Sequence, residues 1–168
     1  MFRRRPSESD LLKLPYRRLL IPLAGGDADD DALSLGALLL GGQPAKSGAD
    51  AAEIVLVHVI EVGFERTLDT QDDKAVAFAD EILDRGAAFL EARRIPNRVG
   101  MIQARAAGPA IVDEAVAASA DLIVMGLRYK RRFGGSWDAG RTVPYVMRNS
   151  KAPVWCLRAR TEELALSP

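Results

Sequence analysis

The chain has 168 residues, of which 48% are hydrophobic and 27% charged, and its 23 basic residues balance its 23 acidic ones. A chain of this length buries one sizeable core but not two, so we expect a single domain. A net charge of zero creates no field that would draw the protein to nucleic acid or to a membrane surface, and we expect neither as a partner.

The chain has one cysteine, Cys156, and one histidine, His58. A single cysteine excludes an intramolecular disulfide and fits a reducing compartment. These two side chains are too few for a His/Cys zinc site, and we expect no metal. No apolar run reaches the roughly 20 residues of a membrane-spanning helix, and the N-terminus lacks the apolar core of a signal peptide. We therefore expect a cytoplasmic protein without membrane insertion.

The chain opens with a segment, residues 1–10, that contains three consecutive arginines and almost nothing to bury. Such a composition favours a solvated arm over a segment that contacts an anionic lipid or nucleic acid. We therefore interpret residues 1–14 as a mobile N-terminal arm, residues 15–160 as the domain and residues 161–168 as a C-terminal tail.

The first predicted strand is the apolar run Leu19–Leu23, whose continuous apolarity is typical of a strand buried on both faces. Four carboxylates in five positions, Asp27–Asp31, then precede an apolar run from Ala32 to Leu40. Acidic residues in a first turn suit the positive end of a helix dipole. We interpret this acidic run as helix capping rather than as a metal site.

The second predicted strand, Glu53–Ile60, contains His58. The neighbours of His58 in sequence are apolar, so we interpret it as a hydrogen-bonded side chain at the core or rim, without a catalytic partner. Apolar residues from Ala75 to Leu90 recur at spacings of three and four, which predicts an amphipathic helix.

The remaining chain continues the alternation of strands and helices. It contains a third strand at Val99–Ala104 and a helix at Ala110–Ala118 that Pro109 opens. A fourth strand at Leu122–Met125 and a basic loop at 127–133 follow. The chain then has a helix at 143–147 and a last strand at Pro153–Leu157. This order predicts the α/β class, with a Rossmann-like, doubly wound open sheet of about five parallel strands and helices on both faces.

Four short stretches, Asp121–Gly126, Gly140, Val146–Arg148 and Ala152–Val154, resemble the C-terminal half of the universal stress protein family. The resemblance extends from residue 16 to residue 158. It implies a stress-response regulatory domain that forms a homodimer through the last strand. It also implies a nucleotide site at a Gly-x-x-Gly motif, followed after nine residues by Gly and then Ser or Thr.

The chain departs from the family's ATP-binding pattern at two places. Gly126 matches the first glycine, but Tyr129 stands at the second glycine and Arg141 at the Ser or Thr. The aspartate that follows the first strand in ATP-binding relatives is replaced by Ala24. These departures predict that ATP does not bind in the family's usual mode.

The basic loop has two interpretations, a solvated surface or a site for an anion such as a mono- or cyclic nucleotide, because arginine suits phosphate. Any phosphate would meet backbone N–H groups at the carboxyl ends of the first and fourth strands. The candidate nucleotide-binding residues are Pro22, Ala24, Val59, Gly126, Arg128, Tyr129, Arg131, Gly140, Arg141 and Thr142.

The sequence thus favours a regulatory domain that binds ATP, AMP or another nucleotide weakly, in a different way, or not at all. The alternative is a ligand-free dimeric module that binds a protein partner, including one that regulates a transporter. A slow ATP hydrolase is a further alternative, although no catalytic residue stands out and the Walker spacing is missing. Val154 and Trp155 are the candidates for the dimer interface, with core packing as the alternative.

Overall fold

The computed structural model describes residues 16–41, 51–67, 72–127, 130–131, 137–138 and 140–158, with only the backbone of 130–131 and 137–138. The predicted arm, residues 1–14, and tail, residues 161–168, lie outside the described residues. The strands are β1 (Arg18–Pro22), β2 (Glu53–Glu61), β3 (Asn97–Ala104), β4 (Leu122–Gly126), β5 (Lys130–Arg131), β6 (Trp137–Asp138) and β7 (Val154–Leu157). The helices are α1 (Asp27–Gly41), α2 (Asp73–Glu91), α3 (Ala107–Ala117) and α4 (Thr142–Asn149).

Five parallel strands form the main sheet in the order β3-β2-β1-β4-β7. β1 lies at the centre, where Leu20 is in register with Val55 of β2 and with Ile123 of β4. Each of these three side chains is 0% exposed. The structure confirms the predicted fold, because strands covered on both faces by helices require the continuous apolar runs that the sequence shows.

The two faces of the sheet carry two separate cores. Leu19 and Ile21 of β1 pack with residues of α1 and α2, such as Leu33. Leu20, which points to the opposite face, packs with residues of α3 and α4, such as Val146. Alternate residues of one central strand therefore hold helices on both sides of the sheet.

The longest described helix, α2, begins after a capping aspartate. Asp72 accepts a hydrogen bond of 3.2 Å from the backbone N–H of Ala75 and another of 3.2 Å from the Arg66 guanidinium. The hydrogen bond from Ala75, followed by that from Arg66, holds the pKa of the Asp72 carboxyl below its ordinary value of 3.8. No helix in the described part of the chain combines the length and apolarity needed to span a bilayer.

One small element was not predicted. Residues 127–133 were expected to form a loop, but β5 and β6 pair as an antiparallel ribbon in which Lys130 faces Asp138. Strands of two residues are too short for the alternating pattern that identifies a strand, since that pattern needs roughly four residues.

β7 lies at the edge of the sheet, as the sequence predicts. Trp155 is half-buried and packs edge-to-face on Tyr16, with ring centroids 5.7 Å apart. Val154 is also half-buried and packs on the opposite core. Both side chains therefore pack within the chain, and their role in a dimer interface stays a prediction.

Candidate functional site

A cavity of about 520 Å³ opens at the carboxyl ends of the central strands. Six of the ten predicted site residues line it: Pro22, Ala24, Val59, Gly126, Gly140 and Thr142. Arg141, the N-cap of α4, is exposed and lies between two of these lining residues without lining the cavity itself. Arg128 and Tyr129 lie outside the described residues, and only the backbone of Arg131 is described.

The other residues of the cavity wall were not candidate site residues from the sequence. These are the apolar Leu23, Ala107, Ile111, Met125, Leu127 and Val143, and the polar Asp29, His58 and Glu61. The apolar ones were identifiable only as core residues of their elements. The signal for the polar ones was their position near the carboxyl end of a strand, which a sequence alone does not separate from ordinary surface or capping positions.

Gly126 is required by packing between β4 and α1. A Cβ atom at this position would lie 1.9 Å from the carbonyl oxygen of Ala28 and 2.5 Å from its carbonyl carbon. These atoms belong to the backbone of the first turn of α1, so they cannot rotate away. The glycine therefore lets the end of β4, which lines the cavity, approach the start of α1.

Asp29 holds the turn between β1 and α1. Its side chain is buried, with 5% exposure, and its Oδ2 accepts hydrogen bonds from the backbone N–H groups of Ala24 at 2.9 Å, Gly25 at 2.7 Å and Gly26 at 3.2 Å. Gly25 has a φ of +78°, which a glycine adopts without strain. The prediction that the acidic run serves a helix start fits Asp29, which binds N–H groups around the N-cap.

Metal binding by these carboxylates has no support in the geometry. In the ranges that the structure describes, no group of three or more His, Cys, Asp or Glu side chains is placed to hold an ion. Asp27 and Asp30 are exposed, whereas Asp29 is turned toward the loop.

His58 and Glu61 occupy the β2 side of the cavity. The Nδ1 atom of His58 lies 2.9 Å from the carbonyl oxygen of Leu23, and since a carbonyl only accepts, Nδ1 carries the proton. The ring also packs edge-to-face on Phe78 at 6.0 Å between centroids. His58 is therefore a hydrogen-bonded rim residue, as the sequence predicted. Glu61 accepts a hydrogen bond of 2.7 Å from the backbone N–H of Ala107, at the start of α3.

The start of α4 differs from the starts of the other described helices. Carboxylates accept backbone N–H bonds at the starts of the other three, namely Asp29, Asp72 and Glu61. At α4, the N-cap Arg141 makes no side-chain capping hydrogen bond. Gly140 before it has a φ of +68°, and a Cβ atom there would meet nothing within 4 Å. The positive end of α4 therefore opens on the cavity, where it suits an anion.

A family model described as the universal stress protein family matches residues 15–158 of the sequence. A search of curated proteins found no match.

Solved structures share the fold. A universal stress protein from Archaeoglobus fulgidus is 21% identical, with 84% of this chain and 98% of that chain covered and a TM-score of 0.64. An Archaeoglobus fulgidus universal stress protein in complex with dAMP is 19% identical, with 85% and 98% covered and a TM-score of 0.61. An Arabidopsis thaliana universal stress protein family member with AMP bound is 12% identical, with 88% and 94% covered and a TM-score of 0.62.

Proposed function

This chain belongs to the universal stress protein family, and from that membership we propose that it is a cytoplasmic, stress-response regulatory domain that binds a nucleoside monophosphate. The ligand lies in the cavity at the carboxyl ends of β1 and β4. The observation that carries the proposal is the start of α4, which has no side-chain cap from Arg141 and borders this cavity. A phosphate at this helix start accepts hydrogen bonds from backbone N–H groups and is stabilised by the positive end of the helix dipole.

The wall of the cavity has the composition that a nucleoside base and sugar require. Val59, Ile111 and Met125 give it an apolar surface, and the few polar groups beside them suit the orientation of a ligand. The dAMP and AMP of the Archaeoglobus fulgidus and Arabidopsis thaliana structures support this class of ligand.

Charge favours one phosphate over three. The described residues of the cavity wall include two carboxylates, Asp29 and Glu61, and no lysine or arginine. Each further phosphate adds negative charge near these carboxylates, while the donors at the start of α4, where Arg141 makes no side-chain capping hydrogen bond, lie at one place on the cavity. We therefore propose that AMP binds more tightly than ATP, consistent with the loss of the family's second glycine.

We propose that the domain binds without turnover. A catalytic nucleophile needs an adjacent base. His58, the only histidine, binds the backbone of Leu23 through Nδ1 and packs on Phe78. Burial raises the pKa of the Cys156 thiol, which keeps it protonated and unreactive near neutral pH.

The proposal is tested by nucleotide-dependent thermal unfolding and by calorimetric titration. AMP at 100 times its Kd should stabilise the protein by about 2.7 kcal/mol. This stabilisation should raise the unfolding midpoint by roughly 5 to 10 °C. Ala24 lines the cavity and is exposed. We expect Ala24→Phe to abolish the AMP-dependent rise of the unfolding midpoint, because the phenyl ring fills the site.

The matched control is Ala88→Phe, at an exposed position of α2 that does not line the cavity, and it should bind AMP as the wild type does. Equal AMP binding by Ala24→Phe would place the site elsewhere. If no nucleotide shifts the midpoint of the wild type, the ligand-free module that binds a protein partner becomes the better proposal.

We also propose a homodimer formed through β7. Ile123 donates its N–H to the carbonyl of Pro153 at 2.9 Å, and Leu127 donates to that of Leu157 at 2.7 Å. Because hydrogen-bonding directions alternate along a strand, the backbone groups of Cys156 point away from β4 to the outer edge. An edge of this kind pairs with a second copy across a two-fold axis.

The dimer is tested with Cys156→Pro, which removes one outward N–H per copy and leaves the bonds to β4 in place. We expect a roughly 30-fold weaker dimer from the loss of two hydrogen bonds across the symmetric interface. Analytical ultracentrifugation measures this, with Cys156→Val as the control because valine keeps the N–H. Equal dimer affinity of the two variants would refute pairing through this edge.

A further inference from the structure

The two carboxylate oxygens of Asp29 differ in their hydrogen bonds to the described residues. Oδ2 accepts all three hydrogen bonds from the loop after β1. No group in the described part of the chain donates to Oδ1. The residue lines the cavity although it is only 5% exposed. Asp29 therefore keeps one carboxylate oxygen without a donor among the described residues, in a side chain that lines the space a ligand would fill.

The surroundings of Oδ1 favour a hydrogen-bond donor of a ligand over a phosphate group. Neither lysine nor arginine occurs among the described lining residues, so no cation there compensates the charge of Asp29. Its three N–H partners stabilise the negative charge from one side only. A phosphate placed here would be repelled, whereas an N–H or O–H group of a ligand would form a charge-assisted hydrogen bond.

The two ends of the cavity therefore differ in chemistry. Asp29 lies at the start of α1 and offers an acceptor, while the start of α4 offers donors and a positive dipole end. A nucleoside monophosphate matches both ends, because its base and ribose carry donors and its phosphate carries the negative charge.

We propose that Asp29 is the specificity-determining residue of the cavity, and that its Oδ1 accepts a hydrogen bond from the nucleoside. The donor is either the exocyclic amino group of adenine or the ribose 2′-hydroxyl, and both donate to a carboxylate in the same way. This inference rests on the proposed nucleotide-binding function.

The wild-type protein tests the inference first, by calorimetric titration with AMP, IMP and dAMP. IMP lacks the amino group, and dAMP lacks the 2′-hydroxyl. We expect one of the two to bind about tenfold more weakly than AMP, which is the loss of one hydrogen bond to a charged group. Weaker IMP identifies the amino group as the donor, and weaker dAMP identifies the hydroxyl.

Asp29→Asn then tests the residue itself. The asparagine oxygen must stay on the three backbone N–H groups, because an NH2 group cannot accept from them. The NH2 group then replaces Oδ1 at the cavity and offers a donor instead of an acceptor. We expect AMP affinity to fall about tenfold and the wild-type preference among the three nucleotides to disappear. If the amino group is the donor, IMP should bind the variant better than AMP does.

Asp30→Asn is the control, since Asp30 is exposed in the same turn of α1 and does not line the cavity. It removes the same charge and should leave all three affinities unchanged. Unfolding midpoints without ligand show whether Asp29→Asn folds. If it does not fold, the wild-type titrations with AMP, IMP and dAMP test the inference. Equal affinities for the three nucleotides, or a preference that survives in Asp29→Asn, would overturn the inference while the proposed function stands. Absence of binding by any nucleotide would overturn both.

Discussion

Gly126→Ala is expected to lower the free energy of unfolding by at least about 3 kcal/mol, at the upper end of the cost of overpacking. The added methyl group would lie 1.9 Å from the carbonyl oxygen of Ala28. Relief requires the end of β4 to move away from the first turn of α1, because the contact is with backbone and not with the tip of a side chain. This movement would also distort the cavity, which Gly126 lines, so AMP affinity should fall with stability.

Urea denaturation and calorimetric titration measure the two effects. Gly41→Ala is the matched control, since a Cβ atom at Gly41 meets nothing within 4 Å and the residue ends the same helix. Alanine has the better helix propensity, so this variant should be unchanged or stabilised by up to about 1 kcal/mol. A loss of stability below 1 kcal/mol in Gly126→Ala would show that β4 and α1 separate easily, contrary to the close contact described above.

Asp29→Ala is expected to lower the free energy of unfolding by about 2 to 3 kcal/mol, because it leaves the N–H groups of Ala24, Gly25 and Gly26 without their acceptor. The cost stays below that of three fully buried donors, since water reaches the loop at Ala24, which is exposed. The unfolding midpoint should fall by roughly 4 to 12 °C for a chain of this size.

Differential scanning calorimetry measures this change. Asp30→Ala removes the same charge from the same turn but at an exposed position, and its effect should stay within about 0.5 kcal/mol. Asp29→Asn should lie between the wild type and Asp29→Ala, because the amide oxygen still accepts but carries no charge. Equal stabilities of Asp29→Ala and Asp30→Ala would show that the three hydrogen bonds contribute nothing measurable.

The five strands of the main sheet and the helices were predictable from the sequence. β1 lies at Arg18–Pro22 where Leu19–Leu23 was predicted, and β2 ends one residue after the predicted Ile60. α2 extends the predicted range by one or two residues at each end. Such elements are predictable because burial imposes its period on neighbouring residues, through continuous apolarity in a central strand and through a spacing of three or four in a helix.

Part of the candidate site was also predictable. Gly126, Gly140 and Thr142 came from the motif that follows the fourth strand, and Pro22, Ala24 and Val59 from the ends of the first two strands. The carboxyl ends of neighbouring parallel strands meet at one edge of the sheet, so positions just after these strands converge whatever their side chains are. The basic loop gives no such result, since Arg128 and Tyr129 lie outside the described residues.

The tertiary structure decided the roles of individual polar residues. Glu61 meets the N–H of Ala107 across 46 positions of sequence, and Gly126 meets Ala28 only because β4 lies beside β1. Asp29 is one of four carboxylates in five positions, and nothing local shows which of them turns into the loop. The sequence by itself determined the order of strands and helices and the edge of the sheet that holds the cavity, because those follow from local burial patterns. Which side chain faces the cavity, and with which atom, depends on contacts between distant segments, and only the packed fold creates them.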